Sequence, residues 1–148
     1  MEFKNSKSYG NIVNAYKGEV AGELLYIFLS EKLLNEGNEE LGKVFKQLSI
    51  EERGHVNVLK KYLKEDAENH KISEKEIEAL KDKSREDIVK HLEMFSAGEK
   101  KAGEEIYPMF AKVASEEGYD DIAKMFNELA KVELKHGILL GEELKKLK

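Results

Sequence analysis

Two stretches of this chain are copies of one another. Residues 36–55, EGNEELGKVFKQLSIEERGH, align without a gap with residues 117–136, EGYDDIAKMFNELAKVELKH, at an offset of 81, and seven of twenty positions are identical. The identities include Gly37 with Gly118, Phe45 with Phe126, Leu48 with Leu129, Glu52 with Glu133 and His55 with His136. General likeness between helices would supply the leucines and lysines. It has no reason to match both members of a Glu-x-x-His pair in register with a turn glycine. The register runs upstream, where AGE at 21–23 and Tyr26 match AGE at 102–104 and Tyr107, again at 81. GE at 18–19, however, matches GE at 98–99 at an offset of 80, so the second copy carries one extra residue, at Lys100 or Lys101. A helix absorbs an inserted residue as a π-bulge, and Pro108 a few residues on removes a backbone donor. A π-bulge is therefore predicted near Lys100.

The duplication constrains the fold to two equivalent halves. Helix formers dominate, Pro108 is the only proline, and glycines fall mostly singly, so the reading is all-α. Four long helices are predicted at about 8–35, 39–65, 84–117 and 119–147, with glycine-bearing turns at Gly37 and Gly118. Between the second and third lies a polar stretch, residues 66–83, with a short helix expected after Ser73. Short, long, short is the connection pattern of a ferritin-like four-helix bundle, in which a long crossover joins helices two and three. At 148 residues a single domain, 1–148, is expected, large enough to bury roughly 68–70% of its unfolded surface.

Composition removes several function classes. With 37% charged residues, a net charge of −5 and both signs interspersed, the chain presents solvated helix faces rather than a basic stripe, so nucleic acid is not an expected partner. There are no cysteines, hence no disulfides, thiolate zinc sites or cysteine nucleophiles, and the strong metal ligands reduce to His, Asp and Glu. Residues 1–10 lack a signal-peptide core, and the most apolar region, 12–34, is interrupted by Lys17, Glu19, Glu23 and Glu31. The expectation is a soluble cytoplasmic protein that does not engage a membrane.

A single Glu-x-x-His pair means little in a chain so rich in glutamate. Two in matched register mean more. Residues i and i+3 share a helix face, so each pair offers a carboxylate oxygen and an imidazole nitrogen to one point. Each half adds a glutamate from its first helix, giving Glu19, Glu52 and His55, then Glu99, Glu133 and His136. One Glu from each of two helices and Glu-x-x-His from each of the other two is a di-metal carboxylate pattern. Four ionised carboxylates balance two divalent ions, which makes a loaded site neutral in a dry core. The ligand list alone is compatible with iron, manganese or zinc. Glu23 and Tyr26 lie one and two turns beyond Glu19, and a π-bulge would set Glu104 and Tyr107 in the same relation to Glu99. Surplus carboxylates there should bind metal, find a cation or stay protonated, and the reading adopted is that Glu23 and Glu104 serve as proton donors beside the metals, with Tyr26 and Tyr107 as further candidate site residues next to them.

AYKGE at 15–19, EERGH at 51–55, AGE at 97–99, IYPMFAKVASEEGY at 106–119 and VELKH at 132–136 resemble the ferritin-like domain of rubrerythrins. The likeness covers most of the chain. It implies two iron ions held by Glu19, Glu52, His55, Glu99, Glu133 and His136, reduction of hydrogen peroxide to water, a homodimer, and Tyr26 and Tyr107 beside the site. Where family members commonly carry a second glutamate, three residues after the third-helix ligand, this chain has Ala102; either Glu104 substitutes for it through a bulge in the helix, or the site is a symmetric six-residue set closer to that of bacterioferritin. The chain carries no cysteine-ligated rubredoxin domain, so electrons are expected from an external donor such as rubredoxin. The alternatives are a bacterioferritin-like protein that oxidises iron with O2, and a non-catalytic bundle stabilised by its metal.

Overall fold

A computed structural model describes residues 2–70 and 75–147, apart from the side chain of Glu76. Its helices are α1 (Lys7–Asn35), α2 (Glu39–Leu63), α3 (Lys75–Ala79), α4 (Arg85–Lys101), α5 (Tyr107–Glu116) and α6 (Asp120–Leu147). Short 3-10 segments stand at Phe3–Asn5, Lys64–His70 and Leu80–Asp82. There is no strand among the described residues, as the all-α reading requires. The third long helix is continuous in direction of chain but not in winding, because Ala102–Ile106 forms a π-helical segment between α4 and α5. It lies one residue beyond the position that the repeat offset marks. Pro108 falls in the first turn of α5, where its missing N–H is tolerated. The short helix expected after Ser73 is α3, while residues 71–74 lie outside the described residues.

The described residues group into two compact units, Tyr9–Asp82, and the residues up to Ser8 together with those from Lys83 onward. In the first, α1 and α2 form a hairpin. Gly37 takes φ +84°, the N–H of Asn38 donates to Leu33 O at 2.8 Å, and the N–H of Gly37 donates to Leu34 O at 3.1 Å. This is a Schellman ending, and the left-handed residue it needs is supplied without a Cβ penalty. The Asn38 side chain then accepts from Leu41 N, starting α2. The second unit repeats the device 81 residues later: Gly118 has φ +87°, and Tyr119 and Gly118 donate to Ala114 O and Ser115 O at 2.8 and 3.1 Å.

Burial follows the helical period. On α6 the buried positions include Ile122, Met125, Phe126, Leu129, Ala130, Glu133, His136, Gly137 and Leu140, a stripe spaced by three and four residues. On α2 they include Leu41, Phe45, Leu48, Glu52, Val56 and Leu59. Phe45 and Phe126 are fully buried, each stabilising its unit by roughly 1.5–3 kcal/mol. In both helices acidic side chains therefore lie on the apolar stripe itself. Close approach of α4 and α6 depends on Gly137, whose carbonyl accepts from Ser96 Oγ at 2.8 Å.

The N-terminus of α1 is closed from a distance. Glu117, at the end of α5, accepts from Lys7 N at 3.1 Å, Ser8 N at 2.8 Å and the Ser8 hydroxyl. A carboxylate on the first-turn N–H groups satisfies their hydrogen-bonding need and complements the helix dipole. In the other unit, Tyr9 Oη donates to Asp66 Oδ2 at 2.9 Å and ties the 3-10 segment after α2 back to α1.

Candidate metal centre

In the first unit, Glu19 comes from the middle of α1, and Glu52 and His55 from adjacent turns of α2. Glu19 and Glu52 are 2% and 1% exposed, and 12% of the His55 side chain is exposed. His55 Nδ1 stands 3.4 Å from Glu19 Oε2 and 3.9 Å from Glu52 Oε2. In the second unit, Glu99 comes from the last turn of α4, and Glu133 and His136 from α6, all three buried. Within each triad, one ligand atom from every residue lies within 4.8 Å of the others.

This spacing fits a metal ion. Donors about 2.0–2.2 Å from a common first-row ion stand roughly 3–4 Å apart, and the two separations at His55 fall in that interval. The chemistry agrees, since two carboxylates sharing a buried site with an imidazole repel one another unless a cation lies among them. It is Nδ1 of His55 that faces the carboxylates, so that nitrogen would ligate.

The neighbours of the triads divide differently from the sequence expectation. Glu23 is buried, and its Oε2 accepts from Arg53 Nε at 2.5 Å. Of the three fates open to a surplus carboxylate, Glu23 has taken the cation. That bond, with the adjacent negative charge, raises the Arg53 pKa above its ordinary value. Glu104 behaves otherwise: the π segment carries it, and it is exposed. The expectation that the bulge returns Glu104 to a position like that of Glu23 is thereby corrected. A wider turn keeps the helix's downstream faces in phase while letting one of its own side chains swing out.

Tyr26 and Tyr107 remain equivalent. Tyr26 is fully buried with its ring stacked on Phe45 at 6.0 Å, and Tyr107 is buried 5.6 Å from Phe126, the matching pair 81 residues on. Phe110 completes the second cluster, edge-on to Phe126 at 5.3 Å. Sequence reasoning missed Arg53. A signal was available, because the chain has only two arginines among 25 basic residues, and arginine is the side chain suited to a fixed, directional carboxylate contact. It also missed Glu143, a buried carboxylate on α6 whose charge is met by Lys146 Nζ at 3.2 Å.

A family profile described as Rubrerythrin matches residues 10–144. The chain belongs to the rubrerythrin family. Its all-α fold is accordingly the ferritin-like bundle of that family, and membership implies iron binding, for which the Glu and His clusters are suited. Among curated relatives, Rubrerythrin-1 of Clostridium acetobutylicum is 30% identical over 134 residues, and the rubrerythrin of Clostridium perfringens 28% over the same length. The rubrerythrin of Porphyromonas gingivalis is 29% identical over 133 residues. Each alignment covers 90% of this chain, which spans about two thirds of the length of these rubrerythrins. Among the described residues no helix is long and apolar enough to cross a membrane.

Proposed function

We propose that the two triads together hold two iron ions, and that the protein, as a homodimer, reduces hydrogen peroxide to water with electrons from an external donor such as rubredoxin. The observation that carries this reading is the duplication of a buried triad of two carboxylates and an imidazole, each with ligand atoms within 4.8 Å, in a chain of the rubrerythrin family. Reducing one peroxide to two waters consumes two electrons and two protons. Bound in the reduced state, two ferrous ions would supply both electrons at once.

The residues around the triads supply the rest. Glu19, Glu52, Glu99 and Glu133 carry four negative charges and so match two divalent ions, while His55 and His136 add a neutral donor to each. The aromatic pairs Tyr26–Phe45 and Tyr107–Phe126 are buried, and Tyr26 and Tyr107 follow Glu19 and Glu99 by two turns, where apolar packing would help to exclude bulk water. The phenolic oxygens of Tyr26 and Tyr107 are the proton-bearing groups on those faces. A separate redox protein such as rubredoxin is the proposed source of the electrons.

The test is metal analysis of the native protein, then anaerobic reduction and rapid mixing with one equivalent of peroxide or O2. Two irons per chain and faster oxidation by peroxide are expected. Faster oxidation by O2, with iron accumulating beyond two per chain, would overturn the peroxidase reading.

A further inference from the structure

Resting on the metal-binding reading above, we infer that Arg53 is a positioning residue that holds the Glu23 carboxylate out of the metal's coordination sphere, so that Glu19 stays the one ligand supplied by α1. Glu23 follows Glu19 by one turn of α1, on nearly the same face, and is buried. A buried carboxylate one helical turn from a metal ligand is a further donor unless something else engages it. Arg53, between Glu52 and His55 in sequence, engages it through Nε–H to Oε2.

The repeat provides the internal control. The position matching Glu23 is Glu104, which is exposed, and the position matching Arg53 is Leu134. At that point α6 comes against the π segment: a Cβ on Gly103 would meet Leu134 N at 2.7 Å. Where the carboxylate is buried the guanidinium is present, and where it is exposed an apolar residue stands instead. Charge balance gives the same answer. Four triad carboxylates already neutralise two divalent ions, and Glu23 would add an uncompensated charge that Arg53 cancels.

The test is cobalt(II) titration of the apoprotein by visible absorption and calorimetry, in the wild type, Arg53→Leu, Glu23→Gln and the double variant. Arg53→Leu should weaken the visible bands of one of the two cobalt ions, as a further carboxylate raises its coordination number, and tighten that ion's binding by roughly tenfold or more, the scale on which residues next to ligands act. The double variant should recover the wild-type spectrum. Circular dichroism of each apoprotein reports folding separately. A spectrum unchanged in folded Arg53→Leu, or altered equally in the double variant, would overturn the inference. Wild-type protein that takes up no cobalt would instead overturn the metal-centre reading beneath it.

Discussion

The backbone nitrogen of Lys100 lies 2.9 Å from where a Cβ on Gly137 would stand, and Ser96 O lies 3.1 Å from it. These are backbone atoms of α4, adjacent to Glu99, and Gly137 adjoins His136. Any side chain at 137 must therefore part the two helices at the turn that brings Glu99 to His136. Gly137→Ala is expected to destabilise the apoprotein by about 1–3 kcal/mol, the range for forced overpacking. The midpoint of urea unfolding checks this. The matching position in the first unit is Val56, also buried, and Val56→Ala should cost a similar amount, about 1–3 kcal/mol, through a cavity rather than a clash, leaving the first triad in place.

Glu52 is 1% exposed and shares its site with Glu19 and His55. Without metal such a group is an electrostatic burden, and with metal it is a ligand. Glu52→Gln is therefore expected to raise the unfolding temperature of the apoprotein, by about 1 kcal/mol or more in stability. The same change should shrink the increase in unfolding temperature produced by added metal, because that increase follows the affinity. Thermal melts with and without Fe(II) or Co(II) under anaerobic conditions would read both signs.

Glu117 caps α1, and its pKa is lowered from the ordinary carboxylate value chiefly by the hydrogen bond from Ser8 Oγ, with the Ser8 and Lys7 amides contributing. A carboxylate whose folded pKa lies below its unfolded value stabilises fully above the unfolded value. That contribution is lost as pH falls through the depressed folded value. Wild type should thus exceed Glu117→Gln in unfolding temperature at neutral pH, with the difference closing below about pH 4. No difference at neutral pH would mean that the amide caps as well as the carboxylate.

Lys64 ends α2 with φ +54° and ψ −127°, a conformation that only glycine adopts without cost. Lys64→Gly is expected to stabilise the protein by about 1 kcal/mol, visible as a rise of roughly 2–4 °C in unfolding temperature.

The helices, both turns and the winding change in the third long helix could be read from the sequence because each is a local matter. Apolar spacing sets the stripe, a glycine sets the left-handed turn, and an offset that slips from 81 to 80 marks an extra residue. The Glu and His triads were legible for the same reason, as matched residues on matched faces. Glu23 and Glu104 were not. Their sequence neighbourhoods are alike, AGE in both, and their fates are set by what the facing helix carries, Arg53 in one unit and Leu134 in the other. The role of Glu117 was hidden more deeply, since the amides it serves stand 109 and 110 positions away in sequence. Lys64 gave no sign either, because a lysine does not mark a left-handed backbone.

The π segment at Ala102–Ile106 reconciles two numbering schemes within one helix. Glu99, upstream of it, answers to Glu19 at 80, while Tyr107, downstream, answers to Tyr26 at 81, as do Glu133 and His136 to Glu52 and His55. A regular helix would have rotated one of these groups by about 100° relative to the other, leaving either the carboxylate or the aromatic ring aimed at the wrong neighbour. The wider turn works as a vernier: it lets the upstream and downstream stretches of a single rod be aligned independently, each to its own target.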